Sequence, residues 1–123
     1  MKTMLVVDDE ARILKIYKTL LIAEGYNVIE TNHASDANDI INKEPIDLVL
    51  LDLRMPDING NILFEVVKMF HKKTKIIISS VYHIDKQKKI IPRASDYFDK
   101  SQGIAVLLDK VRSVLAVPPL SLI

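Results

Sequence analysis

Two kinds of apolar pattern alternate along the chain. Short runs rich in β-branched residues are typical of strands, and longer stretches with apolar residues every three or four positions are typical of amphipathic helices. The predicted strands cover residues 4–7, 26–30, 46–51, 75–79 and 96–98. The predicted helices cover residues 13–21, 34–41, 62–70, 83–91 and 104–115. The chain therefore alternates strand and helix five times.

Residues that start or stop helices fit this assignment. Gly25 is expected just after the first helix, because glycine favours the position that follows a helix C-terminus. Asn32 or Ser35 is available to cap the second helix. The fourth helix is the weakest, since it is short, rich in lysine and stopped by Pro92.

Alternating strands and helices predict one parallel sheet with helices on both faces. The run 48–51 is apolar throughout, as expected of a central strand that is covered on both sides. Because such crossovers are right-handed, the sheet is doubly wound. The predicted fold class is therefore α/β, a five-stranded parallel sheet doubly wound with five helices.

Composition excludes several classes of protein. The 123 residues suit one domain, and the 0 cysteines exclude a disulfide scaffold and suit a reducing cytoplasm. A formal net charge of +1 gives no electrostatic reason to expect contact with nucleic acid or a membrane surface. The longest apolar run, 104–108, is far shorter than a membrane span of about 20 residues.

Function in a doubly wound sheet is expected beyond the carboxyl ends of its strands. The residues at those ends are Asp8, Asp9, Glu10, Asp52, Ser79, Ser80 and Lys100. Converging carboxylates repel one another, which raises a pKa or favours a bound cation, and oxygen ligands of this kind suit Mg²⁺. A carboxylate, a divalent cation, a lysine and a hydroxyl are the parts needed to move a phosphoryl group onto an aspartate.

Three runs resemble the receiver domain of two-component response regulators. They are Val-Val-Asp-Asp-Glu at 6–10, Asp-Leu-Val-Leu-Leu-Asp-Leu-Arg-Met-Pro-Asp-Ile-Asn-Gly at 47–60, and Asp-Tyr-Phe-Asp-Lys at 96–100. The middle run is the most specific, because Met-Pro follows the acidic residue and a glycine stands eight positions after it. The resemblance covers residues 3–116 and implies the (βα)5 flavodoxin-like receiver fold.

The resemblance also implies a role for each residue of the acidic cluster. Asp52 would accept a phosphoryl group from a sensor histidine kinase or a phosphotransfer protein, and Lys100 would contact that group. The implied Mg²⁺ ligands, direct or through water, are Asp8, Asp9, Asp52 and the backbone carbonyl of Arg54. Such a domain is a signalling domain and not an enzyme, although it assists its own phosphorylation and dephosphorylation.

The switch hydroxyl and the switch aromatic leave alternatives open. The family places a Ser or Thr after the fourth strand, usually followed by a small residue. The spacing from Asp52 favours Ser80, but bulky Val81 follows it, whereas Ser79 is followed by a smaller residue. Tyr97 stands where many receivers have a switching aromatic, and it is equally well read as a tyrosine half-buried on the sheet.

The segment after Lys100 departs from the family pattern. Receivers usually have a proline there in a cis bond, and this chain has Ser101. A cis bond before a residue other than proline costs roughly 3–4 kcal/mol. We therefore expect a trans bond and a Lys100 loop that is more mobile than usual.

The resemblance implies an output face made of the fourth helix, fifth strand and fifth helix. That face would signal to a protein target or to a fused output domain. It could also form a homodimer when the domain is phosphorylated. Residues 1–117 are assigned to the receiver, and residues 118–123 to a tail or the start of a linker, because Pro118-Pro119 stops the last helix.

Three other readings compete with a phospho-accepting receiver. A flavodoxin-like cofactor binder needs a phosphate loop rich in glycine and hydroxyls, where this chain has acidic residues after its first strand. A haloacid dehalogenase-type hydrolase needs a second Asp two positions after the nucleophile, where this chain has Arg54. A degenerate receiver, acting as a scaffold without phosphorylation, would lack acidic residues that this chain retains.

Overall fold

A computed structural model describes residues 1–54 and 60–116. The chain alternates strands and α-helices, as the sequence predicts. The strands are β1 (Thr3–Val7), β2 (Asn27–Thr31), β3 (Leu48–Asp52), β4 (Lys75–Ser80) and β5 (Asp96–Asp99). The helices are α1 (Ala11–Ala23), α2 (Ala34–Lys43), α3 (Gly60–Phe70), α4 (Ile84–Ile90) and α5 (Ile104–Leu115).

The five strands form one parallel sheet in the order β2-β1-β3-β4-β5. This arrangement confirms the predicted doubly wound α/β fold. The central strand β3 is buried along its whole length, in agreement with its unbroken apolar run. The register sets Asp52 beside Ser79 and sets Ser80 beside Asp99, so the functional ends of β3, β4 and β5 lie at one edge.

Successive strand residues point to opposite faces and build two cores. On one face Leu50 and Phe98 pack with Leu107 of α5. On the other face Leu51 and Ile78 pack with residues of α2 and α3. Because strand ends continue this alternation, Asp8, Asp52 and Ser79 share the face of α1 and α5. Ser80, Tyr97 and Asp99 share the opposite face.

The helix boundaries confirm one local prediction and correct another. Gly25 follows the C-cap of α1 with φ +97°, a left-handed conformation that glycine adopts without steric cost. The predicted cap of α2 is wrong, because His33, and neither Asn32 nor Ser35, occupies its N-cap. The Thr31 hydroxyl accepts the backbone N–H of His33 at 3.2 Å, which organises the turn before this helix.

The ends of the chain bear on two further predictions. The predicted boundary between residues 117 and 118 lies outside the described residues, and so do Pro118 and Pro119. Among the residues that the structure describes, no helix is long and apolar enough to cross a membrane.

Candidate functional site

A buried lysine joins two carboxylates that come from neighbouring strands. Lys100 Nζ lies 2.8 Å from Asp8 Oδ2 and 3.4 Å from Asp52 Oδ2. The side chain of Lys100 is 11% exposed, and those of Asp8 and Asp52 are 2% and 5% exposed. The carboxylates of Asp8 and Asp52 therefore share the ammonium group of Lys100, in a space that is mostly closed to water.

Backbone N–H groups hold the remaining carboxylate oxygens. Asp52 Oδ1 accepts the N–H of Arg54 at 3.0 Å, and Asp8 Oδ1 accepts the N–H of Glu10 at 3.0 Å. Both are local turns in which a side chain binds the backbone two residues ahead. The carboxylates are fixed at the strand ends before any ligand arrives.

The buried charges shift each other's proton affinity. Burial raises the pKa of Asp52 to about 6, and the charge of Asp8 adds to the rise, while the N–H of Arg54 and the charge of Lys100 oppose it. Burial lowers the pKa of Lys100, but its hydrogen bond to Asp8 and the two carboxylate charges outweigh burial, so the net shift is upward. The site therefore holds a lysine whose charged form is favoured beside a carboxylate that is costly to ionise.

The donor set at the end of β1 fits a divalent cation. Asp8, Asp9 and Glu10 each place a carboxylate oxygen within 4.8 Å of the others. Asp9 and Glu10 are exposed, so a cation could reach them from solvent. Hard oxygen donors of this kind suit Mg²⁺. This three-carboxylate group does not include Asp52, which is linked to Asp8 through Lys100.

The two candidate hydroxyls point to opposite faces of the sheet. Ser80 is fully buried, and its Oγ accepts the N–H of Tyr82 at 3.2 Å, so its own proton remains available to donate. Ser79 Oγ is buried, and it has no hydrogen-bond partner among residues 1–54 and 60–116. It nevertheless lies close enough to the phenol of Tyr17 to offset part of the rise that burial causes in the Tyr17 pKa.

Tyr97 is buried and anchors the end of α4. It is 6% exposed, its hydroxyl donates to the carbonyl of Ile91, and it accepts the N–H of Ala94 at 3.1 Å. This is the inward position of the side chain, deeper than the half-buried alternative considered from the sequence. Whether it switches stays a prediction.

The segment after Lys100 carries a hydrogen-bonded cap, and its mobility stays a prediction. No residue in the described ranges has a cis peptide bond, so Lys100 is joined to Ser101 in trans as expected. Residues Lys100–Gln102 form a 3₁₀ turn. Asp99 Oδ1 accepts the N–H of Ser101 at 2.9 Å, and Gln102 Oε1 accepts the N–H of Asp99 at 3.2 Å. This reciprocal cap holds the lysine without a proline.

Four side chains follow the ends of β3 and β4, at the mouth of the site. The guanidinium of Arg54 lies 5.9 Å from the ring centroid of Tyr82, and Lys86 Nζ lies 4.0 Å from the same centroid. Val81 is 58% exposed. Arg54 and Tyr82 therefore contact each other above the strand ends, while Val81 faces mainly solvent.

Sequence reasoning missed two residues that the structure places next to the site. Asp99 caps the Lys100 turn and pairs with the His83 ring at 3.3 Å. Gln87 is fully buried in α4. A polar residue at the inward position between Ile84 and Ile91 was the available signal, and the lysine-rich composition of this helix obscured it.

Comparisons with known proteins agree with this geometry. The family model described as "Response regulator receiver domain" matches residues 4–112. The transcriptional regulatory protein CpxR of Escherichia coli is 30% identical over 94% of this chain, and the response regulator GtcR of Aneurinibacillus migulanus is 34% identical over 71%. The chain spans only 50% of CpxR and 36% of GtcR.

A solved structure of the response regulator TrrA of Thermotoga maritima, in complex with Mg²⁺ and BeF, has a TM-score of 0.86 and 32% identity to this chain. It covers 94% of this chain and 100% of its own. A second structure shows TrrA in complex with the histidine kinase ThkA. CheY4 of Vibrio cholerae, at 24% identity and a TM-score of 0.86, supports the fold alone. From its fold and its matching family model, the chain belongs to the response regulator receiver domains, a family of signalling domains.

Proposed function

We propose that this receiver accepts a phosphoryl group on Asp52 from a histidine kinase or a phosphotransfer protein. The observation that carries the proposal is the buried Asp52 carboxylate at the end of the central strand, 3.4 Å from Lys100. The fit of the chain to a regulator solved with Mg²⁺ and BeF, and to the same regulator solved with a kinase, supports it.

In this reaction a carboxylate oxygen of Asp52 attacks the donor phosphorus, an acyl phosphate bond forms, and the phosphorus–nitrogen bond of a phosphohistidine breaks. Lys100 stays charged and neutralises the negative charge that gathers at the carboxylate edge. The N–H of Arg54 orients the attacking carboxylate. Desolvation of Asp52 keeps water, which competes as a nucleophile, away from the reacting atoms.

The residues that would hold Mg²⁺ are Asp8, Asp9, Asp52 and the backbone carbonyl of Arg54. A bound Mg²⁺ would neutralise phosphoryl oxygens as charge develops on them. Lys100 Nζ donates to Asp8 Oδ2 and to Asp52 Oδ2. We propose that Lys100 turns toward the phosphoryl group once these carboxylates have other partners.

Ser80 is the better candidate for the hydroxyl that senses phosphate. The hydroxyl proton of Ser80 is free to donate. Ser80 is also the last residue of β4, and the loop that follows it connects to the start of α4. We propose that its movement alters the face formed by α4, β5 and α5, which then contacts a protein target or a fused output domain. Phosphorylation-dependent dimerisation through that face, and a cytoplasmic setting, belong to the same proposal.

The test is phosphorylation by acetyl phosphate with Mg²⁺, read by intact mass. Wild type should gain the mass of one phosphoryl group, and Asp52→Asn should gain none. Asp39→Asn is the matched control, because it makes the same substitution at an exposed position of α2. If wild type is not labelled by acetyl phosphate or by a kinase, the proposal is refuted.

A further inference from the structure

A polar side chain makes the buried contact of α4 with the rest of the domain. Gln87 is the buried residue of this helix, with 0% exposure. Ile90, in contrast, is 37% exposed. Glutamine is mostly exposed in proteins, and burying its amide is costly unless the amide is hydrogen-bonded. Ile84 also packs α4 against the core. The fully buried part of the helix contact depends on what the Gln87 amide binds.

The Gln87 amide binds two backbone carbonyls. Its Nε2 donates to the carbonyl of Tyr82 at 2.8 Å and to the carbonyl of Phe98 at 2.9 Å. Because both partners are acceptors, they settle the orientation of the amide. Its Oε1 is buried and accepts no hydrogen bond from the described residues. The donors of Gln87, and not its acceptor, hold the helix.

These two carbonyls belong to the two segments that the proposed function assigns to phosphate sensing. Tyr82 stands two residues after Ser80, and its N–H already donates to Ser80 Oγ. Phe98 stands two residues before Lys100 on β5. One side chain therefore connects α4 to the Ser80 segment and to the Lys100 segment at the same time.

The other side-chain contacts of α4 lie at its ends or on its exposed residues, where Lys86 Nζ lies 4.0 Å from the ring centroid of Tyr82. Tyr97 bonds the carbonyl of Ile91, just after the helix. The His83 ring contacts Asp99 just before the helix, and this ring is 93% exposed. None of these contacts is with the carbonyl of Tyr82, and Lys86 contacts only the Tyr82 ring, so none of them joins the Ser80 segment to the Lys100 segment as Gln87 does.

We propose that Gln87 is the positioning residue that couples α4 to the phosphorylation site. When Ser80 moves toward a phosphoryl group on Asp52, the carbonyl of Tyr82 moves with it, and the Gln87 amide carries that displacement into the helix. This inference rests on the proposed function, and it adds the residue by which the site would reach the output face.

The first part of the test uses hydrogen exchange of the resting protein. Gln87→Met keeps a long apolar chain but removes both donors, and we expect α4 amides to exchange about tenfold faster. Lys89→Met is the matched control, since it is an exposed position on the same helix. Gln87→Asn, too short to reach both carbonyls, keeps the test valid if the methionine variant does not fold, which circular dichroism will show.

The second part adds Mg²⁺ and beryllofluoride, which stand in for the phosphoryl group. In wild type and Lys89→Met, exchange should change both around Asp52 and in α4. In Gln87→Met, the change around Asp52 should persist and the change in α4 should be lost, a separation that a purely structural role would not produce.

Two results would overturn the coupling. If Gln87→Met exchanges like wild type, or if its α4 responds as fully as in wild type, Gln87 does not transmit the signal. If wild type responds to the phosphoryl mimic neither at Asp52 nor in α4, the proposed function fails, and the coupling fails with it. The response of wild type thus distinguishes the two failures.

Discussion

Removing the charge of Asp52 should stabilise the metal-free protein. The folded pKa of Asp52 is about 6, against an ordinary value of 3.8. The folded state therefore binds this proton more tightly than the unfolded state, so ionisation costs stability as pH rises from the lower value to the higher. The penalty is complete above the folded pKa and absent below the unfolded one.

The size of the effect follows from the pKa difference. About two units at about 1.4 kcal/mol per unit give a penalty of about 3 kcal/mol above pH 7, and about 1 kcal/mol near pH 4.5. Asparagine resembles the neutral form of the carboxyl group and escapes this cost. Asp52→Asn should therefore raise the free energy of unfolding by about 3 kcal/mol near neutral pH, with an advantage that shrinks on acidification.

Urea unfolding followed by circular dichroism, with EDTA present, measures this directly. Asp39→Asn, exposed on α2, controls for the substitution itself and should change stability little at either pH. The reasoning is refuted if Asp52→Asn is less stable than wild type at neutral pH. It is equally refuted if the advantage of the variant does not fall as the pH is lowered.

Three further predictions concern the metal, the site mouth and the Lys100 turn. Millimolar Mg²⁺ should raise the melting temperature, because a ligand that binds only the folded state stabilises it. Asp9→Asn should reduce this rise, and an equal rise in the variant would exclude Asp9 as a ligand. Arg54→Asn should speed loss of the phosphoryl group, measured by intact mass over time, because it removes a bulky side chain beside Asp52 that narrows the approach of water; an unchanged rate would exclude obstruction by Arg54. Hydrogen bonds from the N–H and hydroxyl of Ser101, with the nearby His83 ring, hold the pKa of Asp99 below its usual value. Asp99→Asn should therefore lower the free energy of unfolding above about pH 4, and this loss should disappear at lower pH. Urea unfolding at several pH values can check this.

Much of the fold could be predicted because it depends on apolar periodicity. The run at 48–51 indicated a buried central strand, and the parallel sheet followed from the alternation of strands and helices. The cap of α2 could not be predicted in the same way, because Thr31, His33, Asn32 and Ser35 compete within one short turn. Small differences in local hydrogen bonding decide such ends.

The site shows the same division. The carboxyl ends of parallel strands lie at the same edge of the sheet, so topology alone predicts that Asp8, Asp52 and Lys100 lie close together. The Lys100 turn is capped by Asp99 and Gln102. The sequence argument considered only the proline that is missing after Lys100, so it did not predict this cap. The inward contact of Gln87 depends on how α4 packs, which a lysine-rich sequence pattern does not show.

Mapping the phosphorylated residue tests the central claim most directly. After treatment with acetyl phosphate and Mg²⁺, borohydride reduces an acyl phosphate of aspartate to homoserine, and peptide mass spectrometry then locates it. The account predicts homoserine at position 52 in wild type and Asp39→Asn, and at no position in Asp52→Asn. Homoserine at position 8 or 9, or its complete absence from labelled wild type, would contradict the account.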